Sequence, residues 1–184
     1  MAFKFRKLAI PEVILIKPEP IADGRGFFVE VYKHSEFAKF GIKDIFVQSN
    51  QSKSERKGTI RGLHFQKDPA AQAKLIQVIS GSILDVAVDI RKNSPTYGKW
   101  VSSPLSKKGI QWLYIPVGFA HGFCTLEDNT EILYKCSKEY SPENDRGIIW
   151  NDKFLNIEWP LKDPVLSQRD RNWPSLEKAD NNFI

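Results

Sequence analysis

At 184 residues, with 41% hydrophobic and 27% charged side chains, the chain has the size of one domain and the make-up of an ordinary globular protein, which excludes disordered and fibrous classes. The formal charge of +5 suits an anionic ligand but does not by itself argue for one. No lysine–arginine cluster with interleaved aromatics is present, so neither a nucleic-acid partner nor a nucleic-acid site is expected.

The first twenty residues hold one short apolar run, from Val13 to Ile16, bounded by Pro11 and Lys17. It is too short for a secretory leader or a membrane span, so no membrane association and a cytoplasmic location are expected. Strands are predicted at 12–17 and 27–33, the second opened by the turn at 23–26. A short helix is predicted over 34–40, with Ser35 as N-cap and Gly41 as its stop. Strands follow at 45–52, 58–66 and 73–79.

The clearest strand is 83–91, where Leu84, Val86, Val88 and Ile90 alternate with Ile83, Asp85, Ala87 and Asp89; this is period two, not 3.6. Further strands are predicted at 98–104, 110–115, 119–126 and 130–138, with turns at 93–95, 106–109 and 127–129. Short strands at this spacing predict an all-β sandwich, jelly roll or barrel. After Tyr140 the pattern breaks into Trp-, Pro- and Asp-rich connections with a helical turn or two. No repeat, linker or low-complexity tract divides the chain, and residues 1–184 read as one domain.

Within 58–66, GTIRGLHFQ places an arginine and a histidine in an otherwise apolar strand. Both are costly to bury without partners, which points to a polar pocket. Strict alternation puts Arg61 and His64 on opposite faces, but a bulge at Gly62 turns both inward. Taken alone, a strand histidine is more often a structural group than a catalyst. It becomes a general base if a carboxylate orients the ring.

Lys74 shares a face with Ile76 and Val78, where a solvated strand end is the default reading. Tyr134 shares a face with Thr130 and Ile132, where a core tyrosine is the default. His121 lies in a glycine-flanked stretch, PVGFAHGF, that lets a ligand or another chain come close.

There are three histidines, His34, His64 and His121, and no His-x-His pair. A metal-free site is therefore expected. Cys124 and Cys136 have neither zinc-ligand nor CxxC spacing and read as reduced, buried side chains.

The blocks DGRGFFVE (23–30), FVQSNQS (46–52), IRGLHFQ (60–66), KLIQVISG (74–81), DVAVDIRKNSPTYGKW (85–100), IPVGFAHGF (115–123), YKCSKEYSPENDRGIIWND (134–152) and SQRDRNWP (167–174) resemble the dTDP-4-dehydrorhamnose 3,5-epimerase family. They run in that family's order and spacing from Asp23 to Pro174. The resemblance implies a cupin-type jelly roll (a double-stranded β-helix) with a few short helices and no cofactor. It also implies a homodimer with N-terminal strands shared or exchanged across the interface. The substrate would be a dTDP-linked 4-keto-6-deoxyhexose, epimerised at C3 and C5 on the way to activated L-rhamnose for surface polysaccharides.

By the same resemblance His64 is the base, Asp170 the carboxylate that orients it, Lys74 the cation beside the ketone oxygen, and Tyr134 the opposing acid. Arg25, Phe28, Glu30, Gln48, Ser49, Asn50, Arg61, His121, Asp145 and Arg169 fall at substrate-binding positions. Arginine forks at 25 and 61 suit diphosphate oxygens, and Phe27 or Phe28 would stack on the thymine. The chain departs from the family pattern at Ser49, where an aspartate is more familiar. It departs also at Asp145, where a glutamate is frequent, and at Arg169, where a lysine is common. Three other readings stay open: epimerisation of a single carbon, a non-catalytic jelly roll that binds nucleotide sugars, and a metal-dependent oxygenase.

Overall fold

In the computed structural model, which describes residues 2–184, most of the predicted strands form close to their expected limits. They are β1 (Phe3–Lys7), β2 (Ile14–Pro18), β3 (Ile21–Asp23), β4 (Gly26–Phe28), β5 (Gln48–Ser54), β6 (Ile60–Gln66), β7 (Lys74–Ser80) and β8 (Ser82–Asp89). After these come β9 (Trp100–Ser106), β10 (Trp112–Ile115), β11 (Phe119–Thr125), β12 (Thr130–Cys136) and β13 (Asp145–Gly147). Two short helices, α1 (His34–Lys39) and α2 (Gln168–Arg171), complete the set with two single 3-10 turns.

One sheet runs β1-β2-β10-β7-β12-β5, the other β13-β6-β11-β8-β9, and β3-β4 is a separate hairpin. The eight strands from β5 to β12 pair as nested antiparallel partners: β5 with β12, β6 with β11, β7 with β10 and β12, β8 with β9 and β11. A long hairpin folded over on itself in this way is a jelly roll.

Period two in the sequence sorts the side chains into layers. Ile76, Val78, Ile83, Ala87, Leu113, Phe119, Phe123 and Ile132 fill the space between the sheets. The outer face of the second sheet is also covered: Val86, Val88 and Ile90 pack with Ile148, Leu155, Leu176 and Phe183 from the chain beyond β13. This explains why Leu84, Val86 and Val88, on the face of β8 turned away from the other sheet, are all apolar. On the outer face of the first sheet, Ile14, Ile16, Leu75 and Trp112 pack under Phe37 of α1.

Three local expectations change. The strand predicted over 27–33 is only Gly26–Phe28, because this hairpin stands off both sheets with Ile21, Phe27 and Phe28 at 60%, 63% and 66% exposure. The N-cap of α1 is Lys33, in extended conformation and without a side-chain cap bond, and Ser35 lies inside the helix. Strand β1 was not foreseen, although Phe3 and Phe5 alternate with basic residues there and pack on Phe37.

Candidate active site

The inter-sheet core gives way at one end to a cavity of about 640 Å³, with walls from both sheets and a rim from the chain around α2. Alternation decides which side chains reach it. On β12, Tyr134 and Cys136 follow Ile132 inward; on the neighbouring β7, Lys74 sits directly opposite Cys136. On edge strand β5, Gln48 and Asn50 point into the cavity, opposite Cys136 and Tyr134. Ser49, between them, falls on the outer face, where Lys135 Nζ reaches its hydroxyl at 3.4 Å. Its side chain is therefore not part of the wall, contrary to expectation.

Strand β6 breaks its own alternation. Its pairing with β11 slips by one residue, from His121 opposite His64 to Phe123 opposite Arg61. Gly62 sits at the slip with φ +142°, and a Cβ there would lie 2.4 Å from Gly122 Cα. No other residue fits that crossing. The consequence is the one anticipated: Arg61 and His64, three apart, both line the cavity. Arg61 is held by Nε–H to Ser54 Oγ at 3.1 Å and by Nη2–H to the Lys53 carbonyl at 2.9 Å.

His64 Nε2 lies 2.5 Å from Asp170 Oδ1. A carboxylate only accepts, so Nε2 carries the proton and Nδ1 keeps the lone pair, as a base requires. Burial pushes the His64 pKa down from 6.5, outweighing the opposing pull of Asp170. Burial alone would raise the Asp170 carboxyl, but bonds from His64, Ser167 and Trp173 hold it below its ordinary value. Asp170 reaches the site because Ser167 caps α2, its hydroxyl accepting from the Asp170 backbone N–H at 3.0 Å.

Lys74 Nζ is 3.5 Å from the His64 carbonyl and its pKa is lowered, chiefly by burial. The Tyr134 hydroxyl has no protein hydrogen-bond partner among the described residues, and burial raises its pKa. A second histidine–carboxylate pair was not foreseen: His121 Nε2 lies 3.0 Å from both carboxylate oxygens of Asp85, which is fully buried on β8. At the rim, Asp145 accepts from Arg169 at 2.5 Å and from the Tyr140 hydroxyl at 3.1 Å. Among the described residues, no three His, Cys, Asp or Glu side chains gather as a metal would require.

Arg25, Phe28 and Glu30 do not reach this cavity within one chain. Arg25 closes on Asp23 at 2.6 Å in the exposed hairpin turn. Glu30, just beyond β4, keeps a buried Oε1 without a partner among the described residues. Cys136 and Asp85 were missed as site residues; the first shares the Tyr134 parity, and the second stood out only as an aspartate inside the cleanest strand.

Residues 7–178 match the family described as dTDP-4-dehydrorhamnose 3,5-epimerase. The chain belongs to that family. A dTDP-4-dehydrorhamnose 3,5-epimerase of Shigella flexneri is 49% identical over 175 residues, which cover 95% of this chain and 96% of that one. The crystal structure of the Bacillus anthracis epimerase with TDP and PPi bound superposes with a TM-score of 0.92 at 47% identity, covering 95% of this chain and 99% of the other. A dTDP-6-deoxy-D-glucose-3,5-epimerase from Legionella pneumophila, in complex with dTDP-4-keto-L-rhamnose, gives 0.91 at 41% identity, covering 96% and 94%. Against this family of epimerases, the polar cavity between the two sheets is the candidate catalytic centre.

Proposed function

We infer that this chain is an isomerase that converts dTDP-4-dehydro-6-deoxy-D-glucose to dTDP-4-dehydro-L-rhamnose by inverting C3 and C5. Both carbons flank the C4 ketone, so each C–H is acidic enough to lose a proton once the enolate is stabilised. In each half of the reaction His64 takes the proton, and the electron pair of the C–H bond moves onto the ketone oxygen beside Lys74. Tyr134 then returns a proton to the same carbon from the opposite face. Between the two halves His64 gives its proton to solvent and Tyr134 takes one back, so the side chains return to their starting states and the chemistry is redox-neutral and calls for no cofactor.

The observation that carries this reading is the convergence on one cavity of an imidazole tied to a carboxylate, a buried ammonium and an unpartnered phenol. A fixed positive charge in a dry site favours the enolate because no solvent must reorganise as it forms. Asp170 favours the imidazolium that forms as His64 accepts the proton. Arg61 and Arg169 offer planar donor forks to a diphosphate.

Arg25, Phe28 and Glu30 act from a second copy. The β3–β4 hairpin carries exposed Ile21, Phe27 and Phe28, and β5, which lines the cavity, is an unpaired sheet edge. A homodimer in which the hairpin of one copy lies at the other's cavity covers those rings. A nucleoside-diphosphate sugar as substrate places the work in the cytoplasm. The test is proton NMR of the substrate with the enzyme in D₂O: deuterium enters at both C3 and C5. Entry at only one of them would reject double epimerisation, and binding without exchange would reject catalysis altogether.

A further inference from the structure

Asp170 Oδ1 serves two donors. His64 Nε2 is 2.5 Å from it and the indole Nε1 of Trp173 is 3.3 Å from it. The same indole meets the His64 ring edge to face, with centroids 6.2 Å apart. Its seat is closely cut. On one side the Arg169 guanidinium lies 4.9 Å over the ring, itself fixed by the ion pair to Asp145. On another, Gly147 of β13 leaves room that a Cβ would close, at 2.4 Å from the indole. Gly147 pairs directly with His64 across the β13–β6 ladder, so the indole is wedged against the strand that carries the base.

We propose that Trp173 is a positioning residue for the proton transfer: its N–H tunes the carboxylate that His64 leans on, and its ring fixes the plane of the imidazole. This rests on His64 being the base. A donor on Oδ1 withdraws electron density from the carboxylate, so the Asp170–His64 bond is weaker than it would be alone. Less of the imidazolium is then favoured, and His64 stays a neutral base to lower pH. The indole N–H contributes, with His64 and Ser167, to holding the Asp170 carboxyl down. Other charged or titratable groups around the pair are Lys74 on β7, Tyr134 on β12, His121 on β11, Asp85 on β8, and Arg169 with Asp145 at the rim. None of these shares an Asp170 oxygen, so the effect of the indole is separable from theirs.

Trp173→Phe keeps a ring and removes the donor. With Asp170 more basic, the His64 pKa rises and the acidic limb of the kcat/KM profile moves up by about half a pH unit. Affinity for dTDP, read by calorimetry, stays within about twofold, because a change of that size is under 0.5 kcal/mol. Asp170→Asn moves the limb the other way, since it removes the negative charge that raises His64. A folded Trp173→Phe enzyme whose limb stays put overturns the proposal and leaves the indole as packing. If that variant does not fold, Gly147→Ala, which displaces the indole by its Cβ, must give the same upward move, and a fixed limb there overturns it equally. His64→Ala separates the two readings: full activity in that variant would remove the base itself, whereas an inactive His64→Ala beside an unmoved Trp173→Phe limb would remove the role of the indole alone.

Discussion

Tyr134→Phe separates removal of the proton from its return. The hydroxyl has no protein partner among the described residues, so its loss orphans nothing, and the phenyl ring keeps its place beside Ile132 and Ile76. The folded protein should therefore melt within about 1 kcal/mol of the parent, as expected where a hydroxyl makes no net hydrogen bond. Catalysis loses one positioned acid, which is worth ~10²–10⁴-fold, or about 2.7–5.4 kcal/mol of barrier.

The informative quantity is what survives. His64 and Asp170 are untouched, so C–H removal continues, and the proton held on His64 exchanges with solvent and returns from the face it left. In D₂O, proton NMR should show deuterium entering the unreacted 4-keto-glucose substrate while the inverted product forms at least ~10²-fold more slowly. His64→Ala should abolish both. Equal loss of exchange and inversion in Tyr134→Phe would refute the assignment of opposite faces, and unchanged inversion would refute Tyr134 as the acid.

Asp170→Asn, at 2.5 Å from His64, removes a charge-assisted bond worth about 1.5–3 kcal/mol, so kcat should fall ~10–150-fold with little change in KM; an unchanged kcat in steady-state assays would count against the pair. Lys74→Met removes the cation beside the enolate and should lower kcat ~10²–10³-fold. Because burial already lowers the Lys74 pKa, the charged form is disfavoured in the fold, and the same substitution should raise the melting temperature near pH 7. That gain should shrink as pH rises toward the ordinary lysine pKa of about 10.4, where the unfolded chain loses its proton too. For the parent enzyme, burial holds the His64 pKa below 6.5, so the acidic limb of kcat/KM should have its midpoint below pH 6.5; a midpoint above 6.5 would contradict the burial argument. If the proposed homodimer forms through the hairpin, Phe28→Asp on that exposed hairpin should raise KM and lower the mass seen by light scattering from that of two copies to one; a parent that is monomeric, or a variant that stays dimeric with the parent KM, would place the hairpin outside any interface.

The jelly roll was legible because period two is a local property. Leu84 to Ile90 alternate in the sequence, and the layers follow from parity alone. The order in which strands pair is a long-range property, and no single strand carries it; it came from the resemblance. The strand predicted over 27–33 failed for a related reason. Its apolar residues are consistent with a buried strand, but they face outward on a hairpin that joins neither sheet of its own chain. Sequence pattern reports that a surface is apolar, not which molecule covers it.

The site divides along the same line. Parity with Ile76 and Ile132 gave the faces of Lys74 and Tyr134 while only the resemblance put them in a site, and Gly62 could be read as the break that turns Arg61 and His64 to one side. The same parity rule, applied strictly, removes Ser49, since only its neighbours Gln48 and Asn50 can face inward. Asp170 had no such handle. It lies 106 residues from His64 in the chain and is delivered by a four-residue helix whose cap is one serine hydroxyl. Trp173 is further removed still, because its relevance lies in a shared oxygen atom, which no spacing encodes. What holds these two together is the strand edge at Gly147: the absence of a side chain there admits the indole beside His64. His64 is thus positioned by a gap in one strand, a bulge in the next and a cap on a short helix, each of them a local feature whose consequence appears only when the three meet.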